Sequence, residues 1–138
     1  MNKTSLRLLG SSIVIFLAIS NSLAQTQAEL NQDACAKYEK ADAEINAVYR
    51  QVLNKYKSEV VFVAKFKTAQ RAWIAFRDAH LESLYPEPNK LMAYGSVNPM
   101  CRCEVMAELT ADRTKALKKW LDGIEEGDVC SGSVRIKK

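Results

Sequence analysis

The stretch "KTAQRAWIAFRDAH", residues 67–80, decides the fold class, because its apolar positions recur at the helical period even though two arginines stand among them. Ala69, Trp73, Phe76 and His80 are spaced four, three and four apart, which puts them on one face of an α-helix. The same period runs back through Phe62 and Phe66, so a helix is predicted from Glu59 to about Leu84.

Upstream, Leu30, Tyr38, Ile45, Tyr49, Val52 and Tyr56 repeat at helical spacings and predict a helix from about Thr26 to Lys57. Downstream, Met106, Leu109, Leu117 and Trp120 mark a third helix from Cys103 to about Asp122, with Gly123 as its stop. Between the second and third lies "YPEPNKLMAYGSVNPM", Tyr85 to Met100, which contains all three prolines and Gly95 and therefore reads as a loop with room for one short turn. The expected architecture is all-α: a small antiparallel three-helix bundle with one long loop, followed from about residue 123 by a polar tail held at Cys130 and loose beyond it.

Each helix carries a charge at or beside its apolar stripe. Asp42 falls in line between Tyr38 and Ile45, and Arg113 between Leu109 and Leu117, while Gln70 and Arg77 flank Trp73 at three before and four after. Unpaired charges there are costly, so Asp42 is expected to meet Arg77, Arg113 or both, with Asn46 and Gln70 completing a network. Such a network fixes helix register, or faces a groove that binds a ligand.

The N-terminus has the form of a secretory signal peptide. Lys3 and Arg7 precede the apolar run "LLGSSIVIFLAIS", and Ser22 and Ala24 are the small residues before a cut after Ala24. The run is shorter than the ~20 residues of a bilayer span, and no cysteine stands at the cut to take a lipid. Residues 25–138 then form a single domain in the periplasm or outside the cell. Lys3 and Arg7 leave with the signal, so 20 basic residues become 18 against 16 acidic ones. That near-balance argues against nucleic acid or an anionic membrane as partner.

All four cysteines, Cys35, Cys101, Cys103 and Cys130, lie in the exported part, where an even count reads as two disulfides. A bridge from Cys101 to Cys103 is strained, which leaves two pairings, each joining one member of the pair to Cys35 and the other to Cys130. A soft-metal site on C-x-C lacks further ligands nearby, so no metal or other cofactor is expected. One histidine, no nucleophile–base constellation and no glycine-rich phosphate loop argue against an enzyme.

Several segments in order carry a family resemblance: "TQAELNQDACAKYEKADAEINAVY", "AQRAWIAFRDAH", "YGS" and "CEVMAELTADRTKAL". From Thr26 to about Leu117 the chain resembles the LprI-like lysozyme-inhibitor domain family of secreted bacterial proteins. It departs from that family's pattern in lacking a cysteine before the T-Q motif and in carrying His80 where a cysteine commonly follows R-D. The resemblance implies the bridges Cys35–Cys103 and Cys101–Cys130. For the second bridge the tail must return along nearly the whole third helix, about 28 Å at 1.5 Å per residue. Eight extended residues reach at most ~28 Å, so the alternatives are an intermolecular bond at Cys130 or a third helix that ends early.

The resemblance also implies inhibition of lysozyme or a related peptidoglycan-cleaving enzyme, an immunity role against a wall-degrading toxin included. A lysozyme cleft works with two carboxyl groups. A loop offering Lys90, Tyr94 and Ser96 beside a Gly95 turn, with Tyr85 at its start, is the expected target-binding element. The other function the sequence allows is a non-catalytic envelope module that recognises peptidoglycan, through Tyr85 and Tyr94 as stacking platforms, or a partner protein through an apolar patch.

Overall fold

The computed structural model describes residues 25–137, and the expected signal peptide lies outside them. Four helices follow in order: α1 Gln27–Lys55, α2 Val60–Leu84, α3 Lys90–Tyr94 and α4 Asn98–Asp122. The class is all-helical as expected, but the described residues form four helices, not three, because α3 forms inside the proline-containing loop.

Local chemistry sets the ends. Thr26 caps α1 by accepting from Glu29 N, and the Glu29 carboxylate accepts in return from Thr26 N at 2.7 Å, closing a capping box. That backbone donor holds the Glu29 carboxyl below its ordinary range. Helix α4 starts at Asn98, five residues before the expected Cys103. Pro99 falls in its first turn, where a missing N–H costs nothing, so the proline begins this helix where the sequence reading had it end the loop.

Helices α1 and α4 run parallel. Cys35 is bonded to Cys103 near their N-terminal ends, and Lys55 Nζ reaches Trp120 O and Leu121 O at the other end. The two pack closely along their length because small side chains line the seam: Ala34 on α1, Thr110 and Thr114 on α4, all buried. Helix α2 runs antiparallel to both and stands further off, spaced by large rings. Phe66 stacks on Tyr49 at 5.5 Å and meets Trp120 edge-on at 5.4 Å.

The core comprises Ile45, Val48, Val52 and Tyr56 of α1, Phe66 of α2 and Leu117 of α4. Phe76, expected on the core face, is 56% exposed, since α2 buries only one side against a pair already packed together.

The tail is docked and not loose. Gly123 turns the chain at φ +76°, Ile124 N donates to Arg135 O at 3.1 Å, and Lys137 N donates to Ile124 O at 2.8 Å. Tyr56, fully buried, donates from its hydroxyl to Trp120 O at 3.2 Å and accepts from Arg135 N at 3.3 Å. The Arg135 guanidinium lies over the Tyr56 ring and pairs with Glu59.

The expected Cys101–Cys130 bridge is absent, and both thiols are free. Cys130 is exposed in the turn that reverses the tail beside the C-terminal end of α4. Cys101 sits in the first turn of that helix, roughly 30 Å away at 1.5 Å per residue. Because the tail folds back on itself, it never returns along the helix.

Candidate functional site

The bundle end that carries the Cys35–Cys103 bridge also carries the loop, residues 85–97. Asn89 caps α3 by accepting from Met92 N at 3.1 Å, and Gly95, at φ +70°, ends it. Lys90 does not project: its Nζ pairs with Glu82 at 2.8 Å and donates to Tyr85 O. Arg102 takes the second Glu82 oxygen at 2.8 Å and lies over the Tyr85 ring. The two donors, Lys90 first and Arg102 second, hold the Glu82 carboxyl below its ordinary range.

Tyr85 and Tyr94 pack edge to face at 5.3 Å, and the Tyr94 hydroxyl accepts from Glu87 N at 3.2 Å. The two rings therefore face each other instead of offering open platforms. Ser96 is exposed, and its carbonyl accepts from Asn31 Nδ2 of α1 at 3.0 Å. Three of the four loop residues picked from sequence thus build the loop. The large apolar residues it exposes most are Leu91, 68% exposed, and Met92, 84% exposed. Their signal in the sequence is an apolar pair shortly after Asn89, the N-cap of α3.

The charged residues near the stripes separate into two stations. At one, Asn46 Nδ2 donates to Asp42 Oδ2 at 2.9 Å, and Arg77 approaches Asp42 only to 3.9 Å, its nearer carboxylate being Asp78 at 2.8 Å. The Arg77 guanidinium also lies 5.3 Å from the Trp73 ring centre. At the other, Arg113 Nε donates to buried Gln70 Oε1 at 3.1 Å. Gln70 and Arg77 are two turns apart, about 10 Å along α2, so Asp42 cannot serve both arginines.

His80 stacks on Phe76 at 5.6 Å, and no acid pairs with it among the described residues. No helix among them is long and apolar enough to cross a membrane.

Together these features define a small disulfide-stapled helical domain that presents an ordered, apolar-tipped loop. The family model described as Lysozyme inhibitor LprI matches residues 19–117, and the chain belongs to that family. An uncharacterised protein of Rhizobium meliloti (strain 1021) is 34% identical over 113 residues, covering 74% of this chain and 78% of that protein. No solved structure matches the chain.

Proposed function

We propose that this protein is an exported, non-catalytic inhibitor of lysozyme or a related peptidoglycan-cleaving enzyme, which binds its target and seats the α3 loop in the active-site cleft. Membership of the Lysozyme inhibitor LprI family carries this reading. The loop's construction supports the mechanism. Its frame is ordered before binding, so little conformational entropy remains to be lost when Leu91 and Met92 are buried. In this reading Tyr85, Lys90 and Tyr94 hold the loop's shape, and Ser96 adds an exposed hydroxyl at its edge. The stations at Asp42, Asn46 and Arg77 and at Gln70 and Arg113 keep the helices in register. The protein works in the periplasm or outside the cell, where such enzymes act.

The test is the lytic rate of a c-type lysozyme, and of other peptidoglycan hydrolases, titrated with the oxidised protein. Saturable inhibition of at least one is expected, and a folded protein that inhibits none refutes the reading. A second reading, an envelope module for a partner protein, is favoured by Val60 and Val61 on α2, 74% and 76% exposed. It predicts a stable complex with no effect on lysis.

A further inference from the structure

Away from the loop, the station at Gln70 and Arg113 opens into a surface groove of about 250 Å³ between α2, α4 and the returning tail. Its walls are Phe62, Phe66 and Trp120, with Lys65 and Ser133 at the rim. Phe62 and Phe66 stack at 5.2 Å. Trp120 is fixed in place by its indole N–H, which donates to Ser133 Oγ at 3.0 Å.

Arg113 is the anomaly in this groove. The other two half-buried arginines of the helices each hold a carboxylate at 2.8 Å, Arg77 with Asp78 and Arg102 with Glu82. Arg113, also half-buried, has none among the described residues, and its single hydrogen bond there is the one from Nε to the neutral Gln70. Burial pulls its guanidinium below the ordinary value with no acid to offset it. Neither terminal nitrogen is sealed from solvent, so both are left to meet something that enters from outside.

We propose that this groove binds a carboxylate carried on an apolar or aromatic body, as at the C-terminal residue of a peptide. Arg113 pairs with the carboxylate through its two terminal nitrogens, and the apolar body lies against Phe66 and Trp120. A planar guanidinium matches a carboxylate with two parallel N–H···O bonds, and an aromatic wall lowers the local dielectric that would otherwise screen them. Gln70 acts as a positioning residue, occupying Nε so that the terminal nitrogens face the groove. Phe66 stands 18 residues before the end of α2, about 27 Å along the helix from the α3 loop. The site is therefore independent of the inhibitor reading.

The probe pair is N-acetyl-L-phenylalanine and its neutral amide, N-acetyl-L-phenylalaninamide, titrated into the oxidised protein while the two indole N–H resonances are followed by NMR. The acid should shift the Trp120 resonance saturably and leave Trp73 unmoved, with the amide weaker by about tenfold, the equivalent of one charge-assisted bond. Arg113→Met, which keeps an apolar stem, should abolish the preference for the acid. Arg113→Lys, which keeps the charge without the planar fork, should reduce it and serves if the methionine variant does not fold. Equal shifts by acid and amide, no saturable shift of Trp120, or a preference that survives Arg113→Met would each overturn the proposal.

Discussion

Removing the Cys35–Cys103 bridge should be the most damaging change that leaves every buried apolar contact in place. The bridge joins residues 68 apart, and closing a loop of that length removes unfolded-state entropy worth about 4 kcal/mol. For a domain of this size each kcal/mol moves the melting midpoint by roughly 4 °C. The double variant Cys35→Ser, Cys103→Ser should therefore melt about 15 °C below the parent when followed by circular dichroism. The companion variant Cys101→Ser, Cys130→Ser removes two free thiols and should stay within about 0.5 kcal/mol of the parent. The native parent should also show thiols at Cys101 and Cys130 that a reagent can titrate after unfolding without reductant. If the companion variant loses as much stability as the first, or the unfolded parent shows no thiol, the pairing is wrong.

Other consequences follow from single contacts. Leu117→Ala empties the centre of the seam between α1, α2 and α4, where Leu117 is fully buried, and should cost about 2–5 kcal/mol in urea unfolding. Gly123→Ala forces a left-handed residue to carry a Cβ 2.7 Å from Arg135 O, so a loss of about 1–2 kcal/mol should come with faster amide exchange at residues 134–137. Glu82, whose pKa is lowered on folding by Lys90 and Arg102, stabilises the loop fully above its ordinary unfolded value, and that contribution is lost as pH falls through the lower native value. Amide exchange at Leu91, Met92 and Ala93, corrected for intrinsic rates, should therefore rise in acid before α1 and α4 loosen, and Glu82→Gln should give the same loosening at neutral pH.

The helices were legible because their burial is periodic: Ile45, Val52 and Leu117 stand on the stripes that sequence spacing marks out, and all three are buried. Two features misled. Pro99 reads locally as a breaker, and only its place in a first turn makes it a starter. Phe76 follows the period faithfully yet faces water, since periodicity marks a face without saying how much partner surface is available to cover it. The stations were half visible: the charged residues were found, but which charges meet depends on the height of each along an antiparallel helix. Tail docking was illegible, because it rests on backbone hydrogen bonds and on the single hydroxyl of Tyr56, 79 residues from Arg135. The loop's own contacts were illegible too, because Lys90 meets Glu82 and Tyr85 meets Tyr94 only once the chain is folded.

The proposed mechanism has an ordered loop with an apolar tip block a wall-cleaving enzyme. Its most direct test is the inhibition constant against a sensitive lysozyme for the parent and for the double variant Leu91→Asp, Met92→Asp, both oxidised and matched in melting temperature. Both side chains are already exposed, so the change should leave the fold intact. Inhibition by the parent and a loss of tenfold or more in the variant are expected, as for a central apolar anchor. Equal inhibition by the two proteins would contradict it and move the contact elsewhere on the molecule.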